Sequence, residues 1–174
     1  MKNQHLEASI QSEVLAFIAS RKSLQISSIT EEGGPYASYA PFAIGDNCLY
    51  VLLSEIAMHA VNLQNNPAAS VLIIEDEDSA NELFARKRVN YSMRVDCAEF
   101  QSSEWQTGID SLAERHGERV LKLSELADFK LFKLTPQTGR YVKGFGRAYS
   151  LSGASLAGEL VDHLRDGHKK RSVA

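Results

Sequence analysis

Imidazole side chains are the most versatile ligands and proton carriers in this sequence, and its five histidines sit in different local settings. His5 falls in a polar N-terminal stretch and His116 precedes Gly117 at a helix end, so both read as solvated. His59 lies between Ile56 and Leu63 at helical spacing, bordering an apolar face where a packed, hydrogen-bonded histidine is the ordinary reading. His163 neighbours Leu164 in a helix-like stretch and reads as a surface or interface residue. His168 differs from these: it follows Gly167 in a polar C-terminal segment and precedes Lys169, Lys170 and Arg171. Either this is a solvated basic end, or it is a segment that swings an imidazole over heme iron with its cations near the propionates. The local sequence leaves both readings open.

Other chemistries find little support. The sequence contains no P-loop, no G-x-S-x-G elbow, no H-E-x-x-H and no paired C-x-x-C. Gly144-Phe145-Gly146-Arg147-Ala148 lacks the third glycine and the crossover context of a dinucleotide fingerprint, and marks instead a bulge or a close backbone approach. Cys48 and Cys97 match no metal or redox spacing and read as small buried hydrophobes. With 19 basic and 22 acidic residues the net charge is -3, which argues against nucleic acid as a partner. No apolar run is long enough to span a bilayer, and the first residues carry no hydrophobic signal core, so a cytoplasmic location is expected.

The elements that must position these residues are mostly short strands. Helical spacing of Ile10, Val14, Phe17 and Ile18 predicts a helix over 6–20. Strands are predicted over 24–29, 36–44 and 48–53, separated by turn-forming residues at 31–35 and 45–47. A second helix over 55–65 ends at Asn66-Pro67. Residues 70–74 and 88–100 read as strands, with a loop or short helix over 76–84 between them. Ser103 and Gln106 suggest a capping box for a helix presenting Trp105, Ile109 and Leu112 on one face, with a further helical stretch over 118–126. Residues 129–134 and 141–149 complete the strands, and 155–164 reads as a final helix. The expectation is one domain over 1–174, mainly β with inserted helices, in which an antiparallel sheet closes into a small barrel.

Several blocks bear on family. They are SYAPF (38–42), AVNL (60–63) with Asn66-Pro67, IIED (73–76), LFARKR (83–88), Asp128-Phe129 with Leu131-Phe132, VKGFGRAY (142–149) and Gly167-His168-Lys169. In this order the chain resembles the HugZ/HutZ heme-utilisation family, within the pyridoxamine-phosphate-oxidase-like split barrels. FARKR, VKGFGRAY and the terminal GHK are its specific parts. The resemblance implies a split β-barrel homodimer that holds heme near the subunit interface and degrades it oxidatively, with electrons from an external donor or reductase. It implies that His168 is the iron ligand in a C-terminal segment, 165–174, with Lys169 beside it. Arg88 matches the arginine by the heme, Asp128 the acid that tunes the ligating histidine, and His59 lies on the cofactor-facing helix. A heme carrier without turnover and an FMN-dependent oxidoreductase are the alternatives on the same barrel. FMN is disfavoured because residues 54–62 contain no lysine or arginine to hold a phosphate, although Arg86, Lys87 and Arg88 lie nearby.

Overall fold

Alternation of buried and more exposed side chains builds the central strands. A computed structural model describes residues 4–164. The helix α1 (Gln4–Ser20) precedes β1 (Ser23–Ile29), β2 (Pro35–Pro41), the short β3 (Ala43–Ile44) and β4 (Leu49–Ser54). After α2 (Met58–Asn65) come β5 (Ala68–Ile74), two single turns of 3-10 helix and β6 (Arg88–Cys97). Helices α3 (Ser103–His116) and α4 (Arg119–Ser124) lead to β7 (Phe129–Gly144), β8 (Arg147–Ser152) and β9 (Leu160–Leu164). All pairings are antiparallel, in the order β2-β1-β5-β6-β7-β4-β3, with β8 and β9 continuing from β7. The result is the curled antiparallel sheet with helices of a split barrel, as the sequence predicts. Among the described residues no helix is long and apolar enough to cross a membrane.

Ile26, Val71, Ile73, Val89, Tyr91 and Met93 fill the inside of the curl, which α1 closes with Ile10, Val14 and Ile18. Strand β4 is buried on both faces. Leu49, Val51 and Leu53 join that interior, whereas Tyr50 faces α3 and packs with Trp105, Ile109, Leu112 and Leu131. Gly108 permits this second layer, because a Cβ there would lie 2.5 Å from Leu131 Cδ2 and 2.9 Å from Tyr50 Cδ1.

Several predicted elements need correction. The stretches 129–134 and 141–149 are one long strand followed by a turn and a second strand. The residues Pro136 to Gly139 look like a break, but a proline is tolerated where the ladder is irregular, and the β6–β7 register shifts between Ser92 and Met93, opposite Thr138 and Pro136. Residues 155–164 are not helical. Gly158 takes positive φ there, as does Gly153 just before it, and 160–164 pair with β8. Strand 36–44 is interrupted at Phe42, which is fully buried. The second helix starts at Met58, because Ser54 Oγ accepts from Ile56 N in the turn before it. Ser102, not Ser103, caps α3, accepting from Trp105 N at 3.1 Å.

Candidate functional site

Arg88 opens β6 opposite Val142 of β7, and Val142 pairs on its other side with Ala148 of β8. These three strands floor a cavity of about 490 Å³, whose rim includes Phe84, Arg88, Arg140, Phe145, Arg147 and Leu164. Arg88 Nη1 donates to Arg86 O at 3.0 Å, which fixes its guanidinium at the rim. The preceding basic pair is otherwise engaged: Arg86 bonds Glu75 O and pairs with Glu77 at 3.3 Å, and the Lys87 backbone N–H donates to the Glu75 carboxylate. No carboxylate lines this cavity among the described residues. It combines cationic and aromatic walls, a chemistry suited to a flat, partly apolar anion.

Asp128 stands just before β7, at the far end of the same strand pair. Its Oδ2 accepts the Ser54 hydroxyl proton at 2.5 Å, and its carbonyl accepts Glu55 N–H at 2.7 Å. A half-buried carboxylate is thereby locked to the turn that starts α2. From Arg88 to Cys97, which pairs with Phe132, the strand runs roughly 30 Å. Arg88 and Asp128 of one chain therefore do not meet.

His59 lies in the first turn of α2 and is half-buried. Its Nδ1 lies 2.8 Å from Ser38 Oγ on β2, and burial lowers its pKa from 6.5, favouring the neutral ring. Around this pair Tyr39, Ile56, Met58 and Val61 leave large apolar side chains exposed. Large exposed apolar side chains are the kind of surface that interaction faces use.

His168 and Lys169 lie outside the described residues. Of the other sequence expectations, some hold and some are revised. His116 is not simply solvated, since Nε2 lies 2.8 Å from Phe42 O where α3 packs over the β2–β3 junction. His163 is exposed on β9, with its ring 4.9 Å from that of Tyr149. Cys48 is buried and its thiol pKa is raised by burial, but Cys97 is exposed at the end of β6. Trp105 is 5% exposed and fills the α3 layer, so it offers no surface to a partner. Sequence reasoning missed Arg140 and Ser54. One clue to Arg140 was its place two residues before Val142, which puts it on the same strand face.

Residues 10–143 match the pyridoxamine 5'-phosphate oxidase family. The chain is 42% identical over 174 residues to the heme oxygenase HutZ of Vibrio cholerae serotype O1, across 99% of this chain and 97% of that one. A crystal structure of HutZ from Vibrio cholerae, described there as a heme storage protein, is similar with TM-score 0.74 and 40% identity, covering 78% of this chain and 96% of that one. The crystal structure of ChuZ from Campylobacter jejuni is similar with TM-score 0.83 and 28% identity, covering 94% and 67%.

Proposed function

The chain belongs to the HugZ/HutZ heme-utilisation family of pyridoxamine-phosphate-oxidase-like split barrels, and on that premise we propose that it binds heme and degrades it oxidatively. The observation that carries this reading is the meeting of Arg88 and Leu164 at one cavity. His168 follows Leu164 by four residues, a reach of at most about 14 Å. A reach of that length is sufficient for the histidine of the terminal GHK motif to meet the arginine of the FARKR motif, which supports this reading. His168 is the iron ligand in this account, with Lys169 beside the propionates and Arg88 at the heme edge.

Asp128 joins the same site only from a second subunit. The protein therefore acts as a homodimer, with Asp128 of one subunit accepting the free ring N–H of His168 from the other. A carboxylate in that place fixes the imidazole tautomer and strengthens its donation to iron. Ser54 holds the carboxylate for this task. The exposed Tyr39, Ile56, Met58 and Val61 supply apolar surface for the subunit contact, with His59 at its margin.

Heme is the substrate and supplies its own oxidation chemistry: with oxygen or peroxide and electrons from an external reductase, the ring opens and iron is released. The protein orients the porphyrin, shields it and positions the axial imidazole. Storage without turnover is the second reading, favoured by the description of the HutZ crystal structure. FMN is the less fitting occupant, because α2 carries no cation and Arg86 is already engaged.

Titrating the purified protein with hemin and then adding reductant in air tests the proposal. A saturable Soret band that disappears with iron release supports heme degradation. A stable Soret band under reductant and air identifies a store, and no Soret change at all overturns heme binding.

A further inference from the structure

Three arginines arrive at the β6–β7–β8 cavity from three different strands, and among the described residues only Arg88 has a hydrogen bond to the protein there. Arg140 and Arg147 make no ion pair or hydrogen bond to a carboxylate among the described residues, and both are exposed. Elsewhere on this sheet the cations are paired: Arg94 with Asp96, Lys130 with Glu55, Lys133 with Glu104, and Lys143 with Glu13. Leaving like charges together without counter-ions is unfavourable, and a bound anion relieves it.

The hairpin between β7 and β8 is shaped around one of them. A Cβ on Gly144 would lie 2.7 Å from Arg147 Nη2, 3.2 Å from its Nε and 3.3 Å from its Cζ. The guanidinium thus folds across the bare glycine backbone, and Gly146 closes the turn with φ +69°. Arg140 stands two residues before Val142 on the same face, so the two guanidiniums flank an apolar floor residue. Phe145, 64% exposed at the tip of the hairpin, adds an aromatic wall. Two separated fork donors across an apolar floor fit a flat molecule that carries two anionic groups on one edge.

Resting on the heme reading above, we propose that Arg140 and Arg147 form a two-point clamp for the porphyrin carboxylates, selecting dicarboxylate porphyrins and fixing the ring's orientation in the cavity. Arg88, already oriented by Arg86 O, stands apart from this clamp at the opposite strand. Gly144 is part of the same device, because any side chain there displaces Arg147.

The test compares hemin with hemin dimethyl ester, which has the same ring and iron but no carboxylate charge, and with FMN. Each is titrated into the full-length wild type and into Arg140→Gln/Arg147→Gln, with circular dichroism melts as a folding control. The clamp predicts that the double variant loses hemin affinity by about tenfold, the scale of one to two charge-assisted contacts at an exposed site. It also predicts that wild-type and variant proteins bind the diester alike, and that added salt weakens hemin binding more in the wild type than in the variant. Equal hemin affinity in both proteins, or equal losses for hemin and diester, overturns the clamp while leaving heme binding intact. Arginine-dependent binding of FMN without arginine-dependent binding of hemin also overturns it. If the wild type binds neither hemin nor diester, the heme reading itself fails and the clamp falls with it.

Discussion

Arg88 and Asp128 lie at opposite ends of the β6–β7 pair, separated by roughly 30 Å of strand, although the proposed function assigns both to one heme site. A single chain cannot bring them to one porphyrin, so a site using both is composed of two subunits. Mixed dimers test this relationship. Arg88→Ala and Asp128→Asn homodimers each carry a defect at both sites. A mixed dimer of the two carries one intact site and one doubly defective site. Random mixing makes half of the dimers mixed, so about one quarter of wild-type hemin degradation returns. No recovery on mixing means that both residues act within one subunit, or that one of them is not at the site.

The pH dependence of stability follows from His59. Burial holds its folded pKa below 6.5, while the unfolded chain takes up a proton near that value. As pH falls through about 6.5 the unfolded state binds a proton that the folded state refuses, and stability drops. His59→Gln keeps a polar partner for Ser38 and removes the titration, so its chemical denaturation midpoint should be flatter than the wild type's between pH 7 and 5.5. Parallel curves assign the pH response to other groups. At lower pH a second loss follows from Glu104, whose pKa lies below 4.5 because of Lys133 and Tyr50.

Packing of α3 on the sheet depends on Gly108. Alanine there meets the Leu131 side chain and the Tyr50 ring, whose hydroxyl is tied to Glu104. Overpacking costs ~1–3 kcal/mol and the better helix former returns ~1 kcal/mol, leaving a net loss of about 1 kcal/mol. Urea denaturation of Gly108→Ala measures it. A variant as stable as wild type means that Leu131 repacks without cost.

The sequence made the inward faces legible where Leu24 and Ile26, and Val89 and Tyr91, alternate with polar neighbours, whereas the apolar run at 70–74 gave no face, and only the register shows Val71 and Ile73 pointing inward. It misled where one local signal meant something else in tertiary context. Pro136 sits at an irregularity within one strand, and the helical-looking stretch after Ser155 contains Gly158 at φ +80° and pairs with β8. Trp105 was legible as part of one helix face that could meet either the core or a partner, and only the second layer over β4 shows that it is core. For the site, motif resemblance pointed to Arg88, Asp128 and His59, but no pattern along the chain revealed that Arg88 and Asp128 are far apart. Distance along an antiparallel pair appears only once the register is known. Arg140 and Ser54 were hidden for a related reason: each acquires its neighbours from a strand or turn distant in sequence.

The central claim is that His168 ligates heme iron for ring opening, and one comparison tests it most directly. Wild type, His168→Ala and His59→Ala are each loaded with hemin, their Soret bands recorded, and reductant added in air. The account predicts that His168→Ala shifts the Soret band and nearly abolishes ring opening, while His59→Ala retains the native spectrum and turns heme over. Native spectrum and activity in His168→Ala, with both lost in His59→Ala, contradict the assignment and move the iron ligand to the second helix.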